Sequence, residues 1–68
     1  MPIINVQMLT GRTPDQKRAL MRELADGTIR ALGVQEQSIR IVLTEVDPMH
    51  WGIGGESKAD RDQAGGGQ

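Results

Sequence analysis

Two apolar runs, residues 2–9 and 39–46, enclose one segment long enough for a helix, and that order leaves few folds open. In the first run Ile4, Val6 and Met8 alternate with Ile3, Asn5, Gln7 and Leu9. Both faces carry apolar groups, as in a strand covered by a helix on one side and by another subunit on the other. The second run, Ile39-Arg40-Ile41-Val42-Leu43-Thr44-Glu45-Val46, reads as a second strand. Between them, Thr13-Pro14-Asp15-Gln16 is a strong helix start: Thr13 at the N-cap, Pro14 at the first helical position, Asp15 at the positive end of the dipole, and Gln16 completing a capping box. The helix is expected to reach about Leu32, with Leu20, Leu24, Thr28 and Ala31 on one face, flanked by Met21, Ala25 and Leu32, and with Gly33 at its end. Gly27 costs about 1 kcal/mol relative to alanine there and suggests a close backbone approach. Strand, helix, strand over this length predicts an α/β fold built on a small βαβ unit, with two parallel strands and a right-handed crossover.

Asp47-Pro48 ends the second strand. Gly52, Gly54 and Gly55 around Ile53 predict a short C-terminal hairpin or a tight turn. They do not form a phosphate loop, because no Lys-Ser or Lys-Thr follows and no helix opens there. Residues 57–68 are charged and then glycine-rich, with nothing to bury, and are expected to be a flexible tail.

Size now enters the argument. A chain of 68 residues is one domain at most, and a domain of about 60 residues buries only about 60% of its unfolded surface. Such chains usually need disulfides, a metal or oligomerisation. There is no cysteine and one histidine, His50, so disulfides are excluded and no metal-ligand spacing is present. Oligomerisation is the remaining route. The net charge of −1, with dispersed Lys and Arg, argues against a nucleic-acid partner. No stretch has the length of a membrane span, and no basic region with a long apolar core opens the chain, so a cytoplasmic location is expected.

Three residues stand out chemically. If Met1 is removed, Pro2 carries a free secondary amine, able to accept a proton or attack a carbonyl; equally, proline is tolerated as a mere strand starter. Arg40 is unusual in a strand of this kind and reads equally as an edge arginine paired with a carboxylate or reaching water. Trp51 is the only aromatic side chain, a type enriched at interfaces.

Taken together, Pro2-Ile3, Leu9-Thr10-Gly11-Arg12, Ser38-Ile39-Arg40, Thr44-Glu45 and His50-Trp51-Gly52-Ile53-Gly54-Gly55-Glu56 resemble the 4-oxalocrotonate tautomerase family, also called 2-hydroxymuconate tautomerase. The resemblance covers residues 2–56, making 1–56 the tautomerase domain and 57–68 a tail. It implies a βαβ subunit assembled as a homo-hexamer, a trimer of dimers, with four-stranded sheets formed by subunit pairs. It puts the catalytic amine on Pro2, a carboxylate-binding arginine on Arg12, a second arginine, donated by a neighbouring subunit, on Arg40, and pocket-lining positions on Leu9 and Trp51. The family usually has phenylalanine where Trp51 stands, so the larger indole is expected to narrow the pocket and shift substrate preference. The tail departs from the family's basic C-terminus, since Asp60 and Asp62 interrupt it.

The reaction so implied is a 1,3- or 1,5-proton shift that converts a dienol diacid to a conjugated 2-oxo acid, with no metal or organic cofactor. One base takes the enol proton and returns it to carbon, so it must be neutral at cellular pH. An α-amino group ordinarily titrates near 7.7–8.0, with proline's secondary amine more basic. Burial beside Trp51 and the like charges of Arg12 and Arg40 would lower it. Arginine suits a dicarboxylate because the guanidinium pairs with carboxylates bidentately. Related activities on phenylpyruvate enols or haloacrylates, and a non-catalytic oligomeric module that keeps Met1, are the alternatives.

Overall fold

A computed structural model describes residues 1–64. The chain runs β1 (Ile3–Leu9), α1 (Pro14–Leu32), a 3-10 turn (Glu36–Ser38), β2 (Arg40–Val46), a second 3-10 turn (Pro48–His50), β3 (Gly52–Ile53), β4 (Glu56–Ser57) and α2 (Lys58–Gln63). β1 and β2 pair in parallel in a register running from Ile3↔Arg40 to Leu9↔Val46. β3 and β4 form a separate antiparallel hairpin, Gly52↔Ser57 and Ile53↔Glu56. The α/β fold, with two parallel strands, one main helix and a C-terminal hairpin, matches the expected one.

Local chemistry explains the boundaries. The Thr13 hydroxyl accepts the Gln16 N–H at 3.1 Å, and the Gln16 side chain accepts the Thr13 N–H at 3.0 Å. This reciprocal box supplies acceptors that the first helical turn lacks. At the other end Gly33 takes φ 68° and its N–H reaches the Ile29 carbonyl at 2.9 Å, a left-handed cap that glycine adopts without steric cost. β2 begins one residue later than the apolar run, because the Ile39 N–H closes the 3-10 turn on Glu36 at 3.1 Å.

One sheet face packs against α1. Ile4, Val6, Met8, Ile41 and Leu43 alternate into it and are half-buried, as are Leu20, Leu24, Thr28 and Ile29 of α1, with Ala25 buried. Among the described residues only Ala25 and Ile39 are buried. Ala31 is exposed, Leu32 is 62% exposed and Met21 41%, so the inward stripe of α1 is narrower than its apolar residues suggest. A two-stranded sheet is too narrow to cover more. Gly27 meets no close backbone within the chain: a methyl group there would touch only Arg30 Nη2, at 3.7 Å.

The opposite sheet face is open. It carries Ile3, 62% exposed, and Val42, 47% exposed, beside Asn5, Gln7 and Thr44. The radius of gyration is 15.7 Å, against about 11 Å for a compact domain of this length.

The expected tail is corrected in part. Lys58–Gln63 is helical, with the Ser57 hydroxyl accepting the Asp60 N–H at 3.1 Å and Lys58 paired to Asp62 at 2.8 Å. Its N-terminus is also tied down, because the Lys58 N–H donates to the Trp51 carbonyl at 2.7 Å. Backbone and capping bonds thus order a segment with little to bury. Residues 65–68 lie outside the described residues. No described helix is long and apolar enough to cross a membrane.

Candidate active site

The loop of residues 10–13 carries Arg12 between two anchors. Before it, the Thr10 N–H donates to the Val46 carbonyl at 3.1 Å, one rung beyond the β1–β2 ladder. After it stands the Thr13 capping box. Gly11, at φ 124°, makes the bend between them in a region closed to most side chains. Arg12 is therefore an exposed cation on a short, tethered loop.

Trp51 follows the second 3-10 turn. The Asp47 carboxylate accepts the Met49 N–H at 2.9 Å, and its carbonyl accepts the His50 N–H at 2.8 Å. The Trp51 N–H reaches the Pro48 carbonyl at 3.3 Å. These bonds bring the indole to the end of β1, where Met8, Leu9, Thr10, Gly11, Arg12 and Trp51 line a depression of about 490 Å³. The lining residues include one arginine, one threonine and three with large apolar side chains, a set suited to a carboxylate on a planar, unsaturated body. Of the residues that the resemblance places at the site, Leu9, Arg12 and Trp51 fall here. Met8 and Thr10 were not singled out, although they flank Leu9 and Arg12.

Pro2 and Arg40 lie at the other end of the sheet. The Arg40 N–H donates to the Pro2 carbonyl at 3.0 Å. Pro2 is half-buried, and while Met1 is attached its ring nitrogen is an amide. The pleat alternates side chains, so Pro2 falls on the helix side with Ile4, whereas Arg40, paired with Ile3, falls on the open side. The Arg40 guanidinium folds back over the preceding turn and donates to the carbonyls of Gln37 and Ile39. That turn is itself held by Arg22, whose Nη2 lies 3.1 Å from Glu36 and 2.9 Å from Asp26. The hydrogen bond to Glu36, then that to Asp26, raises the Arg22 guanidinium above its already high ordinary value.

β1 spans seven residues, on the order of 20 Å at about 3.3 Å per residue. A single chain thus leaves Pro2 and Arg40 at one end of the sheet, with their side chains on opposite faces, and the Arg12–Trp51 depression at the other. A second depression, of about 420 Å³, lies between α1 and β2 over Met21, Ala25, Ile39 and Ile41. It contains none of the expected site residues. Its arginines are engaged, Arg18 by Asp15 at 2.7 Å and Arg22 as above.

Residues 2–61 match the family model described as "Tautomerase enzyme". The 2-hydroxymuconate tautomerase of Stutzerimonas stutzeri is 42% identical over 57 residues, covering 84% of this chain and 90% of that protein. Among solved structures, a 4-oxalocrotonate tautomerase isozyme from Methylibium petroleiphilum superposes with a TM-score of 0.88 at 33% identity, covering 93% of this chain and 98% of its own. A heterohexameric 4-oxalocrotonate tautomerase from Chloroflexus aurantiacus gives a TM-score of 0.82 at 37% identity, covering 88% and 97%.

Proposed function

The chain belongs to the tautomerase family, and from that premise we propose that it converts 2-hydroxymuconate-type dienols to conjugated 2-oxo acids, with the amine of a processed Pro2 as the base. The Pro2 nitrogen takes the proton of the enol hydroxyl. The electron pair of that O–H bond forms the carbonyl, the double bonds shift, and the proton returns to the fifth carbon of the chain, which leaves the remaining double bond conjugated with the new carbonyl. The reaction is an internal proton transfer, so it balances without a redox partner. Arg12 holds the remote carboxylate bidentately, and Arg40 from another subunit stabilises the charge that develops on the enol oxygen. The guanidinium groups and burial both disfavour the ammonium form, which keeps the amine available near neutral pH.

The observation that carries this reading is the separation of Pro2 from the Arg12 depression along β1. Among the described residues, β1 pairs only with β2 and its other edge is unpaired. Two copies joined across it by a two-fold axis would run antiparallel, bringing the Pro2 end of each beside the Arg12 and Trp51 of the other. The open apolar sheet face, with Ile3 and Val42, would then be covered as such pairs assemble, into a homo-hexamer in this reading.

The test is a spectrophotometric assay of 2-hydroxymuconate ketonisation with protein shown by intact mass to begin at Pro2. Rapid conversion is expected, and its absence in folded, processed protein rejects this substrate. A mixing experiment tests the shared site. Pro2→Ala and Arg12→Ala variants, each impaired alone, are unfolded together and reassembled. Activity should return, because some sites then draw Pro2 from one variant and Arg12 from the other. No recovery rejects the division between subunits.

A further inference from the structure

Three consecutive residues at the end of β2 hold the walls of the Arg12 depression. Glu45 pairs with Lys17, in the first turn of α1, at 3.0 Å. Val46 accepts the Thr10 N–H, and Asp47 holds the turn that leads to Trp51. The Lys17 and Val46 contacts straddle Arg12, one on either side of its loop. Between them stand the Gly11 bend, the Thr13 capping box and the first turn of α1.

The Lys17–Glu45 pair differs from its neighbours. Arg18–Asp15 and Lys58–Asp62 each lie within one helix, where such pairs contribute little beyond local helicity. Lys17–Glu45 joins helix to strand, and its side chains are only 28% and 32% exposed. Glu45 sits opposite Met8 in the β1–β2 register, and Met8 lines the depression. The pair therefore fixes the start of α1 at the level of the strand where the depression opens.

We propose that Lys17 and Glu45 are positioning residues for Arg12, holding the helix start so that its guanidinium meets the substrate carboxylate in one orientation. The proposal rests on the reading of Arg12 as the carboxylate anchor. Neither residue touches substrate. Their effect is on carboxylate binding and not on the base, so loss of the pair should raise KM and leave both kcat and the pH profile of kcat in place.

The test exploits Trp51, the only tryptophan, whose fluorescence reports on the depression it lines. Wild type, Arg12→Ala, Lys17→Met, Lys17→Arg, Glu45→Gln and the double variant Lys17→Met/Arg12→Ala are titrated with muconate, a dicarboxylate lacking the reacting hydroxyl. Arg12→Ala should weaken binding about 10-fold or more, as expected for loss of a charge-assisted pair. Lys17→Met and Glu45→Gln should each weaken it about 3- to 10-fold, while Lys17→Arg stays within about two-fold of wild type. In the Arg12→Ala background Lys17→Met should have no further effect. Wild-type binding by both Lys17→Met and Glu45→Gln overturns the proposal, and so does the same loss from Lys17→Met in both backgrounds, which marks a general structural role. If Lys17→Met does not assemble, Glu45→Gln carries the comparison in its place. Unchanged binding by Arg12→Ala removes the anchor reading itself and the positioning role with it, an outcome distinct from failure of the Lys17 and Glu45 variants alone.

Discussion

The Arg40 N–H donates to the Pro2 carbonyl at 3.0 Å, so the second residue of the chain is already part of the sheet. Chain ends usually fray unless something ties them down. This rung does so, and it leaves the Pro2 ring nitrogen as the first atom beyond the ladder. An amine freed there by loss of Met1 would be held at a defined place, as a base must be if it is to meet one particular proton.

Replacing Pro2 with alanine should lower kcat by about 10²- to 10⁴-fold, the usual contribution of a positioned base. Far-UV circular dichroism should be unchanged, because the Pro2 carbonyl and not its ring makes the rung. A variant shown by mass to retain Met1 should be at least as impaired. Wild-type turnover with Met1 retained removes the amine from the mechanism; in Pro2→Ala, whose new terminus is a primary amine, it removes only the need for the secondary amine of proline.

Activity should fall as pH drops and the amine takes up a proton. A nearby guanidinium disfavours the ammonium form and so lowers the amine's pKa. Arg40→Gln removes that cation, and the acidic limb of the pH–rate profile should move to higher pH in addition to the loss of turnover. A limb that stays in place would mean that no Arg40 of the assembly lies near the amine.

Val42→Lys should break the assembly. Val42 lies near the middle of the open sheet face and is 47% exposed in the single chain. If that face is covered in the oligomer, a buried unpaired ammonium there is costly. Light scattering coupled to size exclusion should show a smaller species, and ketonisation should be lost with it. A full-sized, active Val42→Lys assembly would leave this face outside the interface.

Gly27→Ala should raise stability by about 0.5–1 kcal/mol, since alanine restricts the unfolded chain and favours the helix. Within the chain the new methyl group meets only Arg30 Nη2 at 3.7 Å, a side-chain end that can move. The urea midpoint should rise. A lower midpoint would show that a neighbouring subunit approaches the helix at Gly27.

Much of the fold was legible because its signals are short in range. Thr13 and Gln16 are three residues apart, and their capping box opens α1 as expected. Gly33 ends it, and Gly54 and Gly55 turn the hairpin. The helix at Lys58–Gln63 was missed although Ser57 and Asp60 carry a capping signal, because an apolar stripe is absent and a run of glycines follows. Of the residues expected at the site, Leu9, Arg12 and Trp51 line one depression. The pairing of Lys17 with Glu45 had no local signal, since 28 residues separate them.

Sequence alone determined the elements, their order and the residue types available for chemistry, because caps, turn glycines and apolar alternation act over a few residues. Tertiary structure decided where those residues stand. The parallel register from Ile3↔Arg40 to Leu9↔Val46 sets Pro2 and Arg40 at one end of the sheet and Arg12 at the other. The pleat then turns Arg40 away from Pro2. Register depends on contacts between segments distant in the chain, which no local pattern encodes, and it is the register that keeps Pro2 and Arg12 at opposite ends of one chain.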